Sequence, residues 1–154
     1  MAAGDFSGAL IAYRRGRAIA IEAGSSNGDG ANAAGIIAAT LAPPAATMTP
    51  ECHELVERLY DTRHWIAIWT AVRAIASWLT RAGAPDAAAT MLRHLTDLDR
   101  RHPRTDGDGA EPSDATALPV NAETSRESFI RDVLDQIAQA IGRPEVASGA
   151  TQQP

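Results

Sequence analysis

The chain has 154 residues, of which 45% are hydrophobic, and a formal net charge of −5 at pH 7, which is enough for one globular domain with its own core. All 14 basic residues are arginine, and the acidic balance disfavours a general nucleic-acid binder, which would carry a basic patch. The single cysteine, Cys52, cannot form an internal disulfide, and no apolar run approaches the roughly 18 residues needed to cross a bilayer, so we expect a cytoplasmic protein.

Alanine is the most frequent residue, with 32 copies, while aromatic residues make up only 5% of the chain. Alanine is the best helix former but contributes little buried area, so this composition is typical of closely packed helices. Runs of β-branched residues are missing, which argues against a sheet. The sequence therefore predicts an all-α fold.

The first quarter of the chain predicts two helices. A helix over 4–24 has Asp5 where an N-terminal cap is expected and Gly24 where a C-terminal glycine is expected. The string SSNGDG, at 25–30, has the composition of a turn, and a short helix follows at 31–42. Glycines inside the first helix cost about 1 kcal/mol each relative to alanine, so its stability should depend on close packing against a neighbour.

The middle of the chain predicts three further helices with clear apolar stripes. Thr49 and Pro50 open one with a hydroxyl cap and a proline in the first turn. Its stripe is Leu55, Val56, Leu59 and Tyr60. The next begins at about Trp65, follows the helical spacing closely and ends at Gly83. Its apolar positions are 65, 68, 69, 72, 75, 76 and 79. Pro85 opens the last of the three, with the stripe Ala88, Met91, Leu92, Leu95 and Leu98.

The composition changes after residue 102, which ends a predicted helical-repeat domain at 1–102. Segment 103–123 is rich in Pro, Gly, Asp, Ser and Thr, and we interpret it as a disordered acidic linker. Thr124 and Glu127 form a capping box for a last helix at 124–142, and 143–154 is interpreted as a disordered tail. The apolar stripe of the last helix either caps the repeat domain or binds another chain in a groove. This stripe is Phe129, Ile130, Val133, Leu134, Ile137 and Ile141.

Internal similarity points to a short α-solenoid. The segments after Gly4 and after Gly83 both place a small residue, a large apolar residue four later and another packing position seven later. Their separation corresponds to two units of about 40 residues, each a helical hairpin. These hairpins resemble tetratricopeptide-like repeats.

A narrower resemblance covers residues 62–95. It rests on Thr62-Arg63-His64-Trp65, Trp69-Thr70, Arg73, Ala76, Leu79, Arg81, Gly83, Ala88 and Leu92. This string resembles the last repeats of actinobacterial regulatory ATPases of the antibiotic-regulator, LuxR and cyclase-associated types, with the pattern RTGNW…WTxxRxLAxLLxRLG…AAxLL and His64 in place of the asparagine. Those proteins also carry a nucleotide-binding domain. The chain has no lysine, so it cannot hold a phosphate loop; it resembles the sensor tail alone, as a separate or a truncated protein.

The candidate partner-binding residues surround a tryptophan pair. Trp65 and Trp69 lie one helical turn apart and Arg73 continues their line, and an aromatic pair beside a guanidinium suits a peptide or a planar anion. In the alternative interpretation both tryptophans fill the core between hairpins. Because solenoids bind partners on a concave surface, Ile36 and Thr40 are further candidate contact residues.

The sequence shows no catalytic, cofactor or metal motif. Asp106-Gly-Asp108-Gly begins like a calcium loop but lacks the later ligands. Cys52-His53 at a helix start gives either a somewhat activated thiol or a passive buried one.

We therefore expect a non-catalytic protein-interaction or sensor module without a cofactor. Its partner would be a protein, a peptide or the other domains of a regulatory ATPase, with no direct contact to nucleic acid or membrane. The alternative is a transcription regulator that contacts DNA through Arg14, Arg15 and Arg17.

Overall fold

The structure is a computed structural model that describes residues 5–101 and 120–142. Within these ranges the chain forms six α-helices and no strand, which confirms the predicted all-α fold and its helical-hairpin packing. The helices are α1 (Phe6–Glu22), α2 (Ser26–Leu41), α3 (Pro50–Asp61), α4 (Trp65–Arg81), α5 (Pro85–Arg101) and α6 (Val120–Gly142). The predicted linker up to residue 119 and the predicted tail at 143–154 lie outside the described residues.

The helices pack in two layers. α1 packs along α2, α2 along α4 and α4 along α5, so these four helices form one layer in that order. α3 packs against α2 and α4, and α6 packs against α3 and α5, so they form the second layer. On α4 the buried face carries Ile68, Val72 and Ile75, whereas Ile66 and Thr70 are exposed on the opposite face. Among the residues that the structure describes, no second layer covers the outer side of α2 and α4.

Three of the turns share one hydrogen-bond pattern. After α1, α3 and α4 the chain turns through one residue with a left-handed backbone, and the next amide reaches back to the last turn of the helix. Gly24 (φ 66°) and Gly83 (φ 84°) occupy this position after α1 and α4, as the sequence predicts. After α3 the position holds Arg63 (φ 56°) instead.

Glycines allow α1 and α2 to approach closely. A Cβ atom at Gly16 would lie 2.6 Å from the side-chain oxygen of Asn32, and one at Gly35 would lie 2.5 Å from the ring of Tyr13. Both contacts are closer than real Cβ atoms allow. The first helix was predicted to depend on close packing against a neighbour, and α1 packs closely against α2 at these glycines.

The predicted turn at 25–30 is wrong, because residue 25 caps α2 and residues 26–30 form its start. The Ser25 side chain accepts a hydrogen bond from the amide of Gly28 at 3.3 Å, which caps the helix. Asp29 lies in the first turn, where a negative charge is favourable, and binds Arg17 and Arg58 from α1 and α3. The cap and the ion pairs offset the poor helix propensity of SNGDG.

The second layer is completed by α6, which begins at Val120 rather than at the predicted capping box of Thr124 and Glu127. Its stripe is buried in the same core as the other helices, as the capping alternative expects. The buried residues of this stripe are Phe129, Ile130, Val133 and Ile137. One stripe position on α5 is wrong, since Leu92 is 41% exposed.

Candidate functional site

An open groove of about 570 Å³ lies between the first halves of α2 and α4. We call it the α2–α4 groove. Its main lining residues are Asn27, Ala31, Ala34, Arg63, Ile66 and Thr70. It lies on the outer side of these helices, which none of the other described helices covers.

The groove exists because small side chains from α2 face a large exposed one on α4. Ala31 and Ala34 give a shallow floor, Trp65 forms a half-buried wall, and Ile66 stands 72% exposed at the rim. Apolar surface dominates the lining, and its polar side chains are Asn27, Arg63, His64 and Thr70. This composition is typical of sites that bind an apolar side chain and orient it by a few polar contacts.

His64 fixes one end of the groove. Its Nε2 lies 2.7 Å from the Ser26 hydroxyl, while its Nδ1 is buried without a hydrogen-bond partner. The ring lies directly against Gly30, where a Cβ atom would come within 2.3 Å of Nδ1. The start of α4 is thereby held against the start of α2. Since no carboxylate orients Nδ1, the Ser26–His64 pair lacks the third member of a nucleophilic triad.

The two predicted tryptophans are in contact but lie in different surroundings. Trp65 lines the groove, whereas Trp69 is only 2% exposed and contacts Trp65 and Phe129, with ring centroids 6.2 and 6.0 Å apart. Trp69 therefore occupies the position that the core interpretation gives it. Ile36 is also a core residue, 1% exposed. Neither side chain reaches a partner from this position.

The remaining predicted contact residues lie apart from one another. Arg73 is exposed and shares the outer stripe of α4 with Ile66 and Thr70, next to the groove. Thr40 is half-buried near the far end of α2, and its hydroxyl is buried without a partner. The guanidinium beside the tryptophan pair comes from another helix, because Arg126 of α6 lies 5.7 Å from the Trp65 ring.

Sequence reasoning missed Asn27, Ala31, Ala34 and Ile66. The first lies in the segment interpreted as a turn, and the two alanines carry no chemical signal of their own. Ile66 did leave a signal, since it is an isoleucine on the otherwise polar face of α4.

The activated-thiol alternative for Cys52 does not hold. The side chain is fully buried, and burial raises the pKa of the thiol despite the hydrogen bonds with Thr49. A buried thiol with a raised pKa carries little of the nucleophilic thiolate. Cys52 is therefore a core residue of α3.

The arginines of the DNA-contact alternative are mostly engaged within the fold. Arg14 pairs with Glu51 at 2.5 Å, and Arg17 pairs with Asp29 at 2.8 Å. A DNA-binding face needs guanidinium groups directed to phosphates. Two of the three candidates are directed at carboxylates instead.

Among the described side chains, no group of three or more His, Cys, Asp and Glu residues is arranged to hold a metal ion. None of the helices described has the length and apolarity needed to cross a membrane.

Comparison with protein-family models, with curated proteins and with solved structures finds no match to this chain. The resemblance of residues 62–95 to regulatory ATPase repeats therefore stays a prediction.

Proposed function

We propose that the protein is a non-catalytic interaction module that binds an amphipathic helix or a short peptide of a partner protein in the α2–α4 groove. The observation that carries the proposal is the exposed Ile66 beside the alanine floor of Ala31 and Ala34. An apolar groove of this kind accepts the apolar face of a helix, whose anchors recur every three to four residues.

The proposal extends to a sensor tail of a bacterial regulatory ATPase in the cytoplasm, as the resemblance implies. The exposed surface of α1 supports it. Ile11, Ile19 and Ile21 are more than half exposed, at positions spread around this helix, whereas the end of a solenoid that faces water is normally polar. In this proposal a neighbouring helical hairpin of such an ATPase would cover part of that surface.

The groove is tested by titrating the isotope-labelled protein with a helical probe peptide of about 16 residues that carries a leucine stripe and glutamine elsewhere. We expect amide resonances of Ala31, Ala34, Ile66 and Thr70 to shift together. The substitution Ala31→Trp fills the groove at an exposed position and should abolish these shifts.

The matched control is Ala89→Trp, which adds the same side chain at an exposed position of α5. This variant should bind the probe like the unmodified protein. Shifts that map to other helices, or equal binding by Ala31→Trp, would contradict the proposed site.

A further inference from the structure

We infer that the outer side of α1 binds the same side of a second copy of this chain, with the two α1 helices antiparallel. The inference concerns α1 and not the α2–α4 groove, so it goes beyond the proposed function and can fail without it. It rests on the side chains that α1 exposes, on the charges among them and on the symmetry that these charges allow.

The side of α1 that faces away from α2 carries a row of exposed residues. On the inner side, Gly16 lies against Asn32 of α2 and Ala20 is buried. Residues spaced by four, three and four positions share the opposite side of the helix, and all of them are exposed. These residues, which we call the α1 outer stripe, are Ile11, Arg15, Ala18 and Glu22.

Three isoleucines make this side of α1 apolar. Ile11 is 68% exposed within the stripe, and Ile19 and Ile21, 57% and 51% exposed, flank it on its two sides. A single exposed apolar side chain is ordinary, whereas several neighbouring ones indicate a contact surface. Ala18 lies between them and is small, so a second helix can approach closely at this point.

The two charges of the stripe are available for a partner. Neither Arg15 nor Glu22 forms an ion pair with any residue that the structure describes. The other arginines of α1 differ, because Arg14 and Arg17 bind carboxylates of other helices. Arg15 and Glu22 lie two turns apart on the stripe, with Ala18 near the middle.

These two charges select both the partner and its direction. When two copies of α1 cross antiparallel near Ala18, a two-fold axis places Arg15 of each copy opposite Glu22 of the other, which gives two ion pairs. In a parallel pair in register, the two arginines would lie beside each other, and so would the two glutamates. A second copy therefore fits the stripe by charge as well as by its apolar side chains.

The contact is small, because each copy contributes one helix of 17 residues. Stable dimers usually bury more than about 1,200 Å² in total, and exposed ion pairs add little. We therefore expect a reversible dimer with a Kd of about 100 μM. A hairpin of a regulatory ATPase would occupy the same surface, so the dimer is expected of a chain that is not joined to such a hairpin.

Sedimentation velocity of the full chain between about 5 μM and 1 mM tests for this dimer. We expect mostly monomers at the lowest concentration and mostly dimers at the highest. The substitution Arg15→Glu or Glu22→Arg replaces both attractions by repulsions and should raise the Kd about tenfold.

A mixture of the two variants tests the pairing directly. In a mixed dimer, the chain with glutamate at both stripe positions meets the chain with arginine at both, so every pair is again attractive. The mixture and the double variant Arg15→Glu/Glu22→Arg should therefore regain the dimer. The matched control is Arg93→Glu at an exposed position of α5, which changes the net charge equally and should dimerise like the unmodified protein.

The melting temperature of each variant should match that of the unmodified protein, because both stripe positions are exposed. A protein that stays monomeric at about 1 mM overturns the inference, and so does a dimer that neither charge reversal weakens. A dimer that the reversals weaken but the mixture does not restore overturns the antiparallel pairing. None of these results bears on the groove, which the probe peptide and Ala31→Trp test separately.

Discussion

At Asp29 a single buried carboxylate joins three helices. Its side chain accepts a hydrogen bond from Arg17 on α1 at 2.8 Å and two from Arg58 on α3 at 2.9 and 3.0 Å. Burial by itself would raise the pKa of Asp29, but the hydrogen bonds and charges of the two arginines outweigh it, so the pKa lies below its ordinary value of 3.8. Neutralising this carboxylate would leave both arginine charges without the negative charge that they pair with.

The substitution Asp29→Asn should lower the free energy of unfolding by about 2–3 kcal/mol at pH 7, less than for a fully buried pair because Arg58 is half exposed. Since the folded pKa lies below the unfolded one, the carboxylate stabilises the fold above about pH 4 and this contribution is lost as the pH falls further. Urea unfolding at pH 7, 5 and 3 measures the difference from the unmodified protein.

The difference in free energy of unfolding between Asp29→Asn and the unmodified protein should be the same at pH 7 and 5 and smaller at pH 3. Glu51→Gln, in the exposed pair with Arg14, is the control and should cost under about 1 kcal/mol. A difference that grows toward low pH would contradict the assignment.

At the scale of the helices, local sequence patterns predicted most of the helices and several of their ends. The stripe of α4 and the ends at Gly24 and Gly83 follow from spacing and backbone freedom, which depend only on neighbouring residues. The start of α2 did not follow, because its stability depends on Arg17 and Arg58 from other helices. The groove was missed for the same reason, since it exists only once α2 and α4 are side by side.

At the contact between α1 and α2, the effect of Gly35→Ala on the free energy of unfolding should depend on whether Tyr13 is present. Gly35→Ala should lower the free energy of unfolding by about 1 kcal/mol, because overpacking against the Tyr13 ring exceeds the gain in helix propensity. In a Tyr13→Ala background the same substitution should stabilise the protein by up to about 1 kcal/mol, since only the propensity gain remains. Chemical denaturation of the unmodified protein, the two single variants and the double variant measures both effects. If the effects of the two substitutions on the free energy of unfolding simply add, the two residues are not in contact.

At the scale of the whole molecule, α6 covers the core by packing against α3 and α5. The sequence predicted its stripe but could not choose between capping and binding another chain, because the same amphipathic helix suits both. In the structure Phe129 contacts Trp69, and Arg126 lies over Trp65. The second layer thus packs against the buried face of α4, whereas the groove lies on its exposed face.

Neighbouring positions of α6 test this arrangement. Ile130 is fully buried and Arg131 is exposed. Ile130→Ala should lower the free energy of unfolding by about 2–5 kcal/mol, whereas Arg131→Ala should change it by less than about 0.5 kcal/mol. Similar small effects of both substitutions would mean that α6 does not pack on the other helices.

Ending the chain after Arg101 removes all of α6. The four large side chains that α6 buries each contribute about 1.5–3 kcal/mol, a sum comparable to the roughly 5–15 kcal/mol that stabilises a typical domain. The shortened protein should therefore lose cooperative thermal unfolding and expose the apolar faces of α3 and α5 to a hydrophobic dye. Calorimetry and dye fluorescence of both proteins check this, and a shortened protein that unfolds cooperatively at the midpoint of the full chain would show that the core is complete without α6.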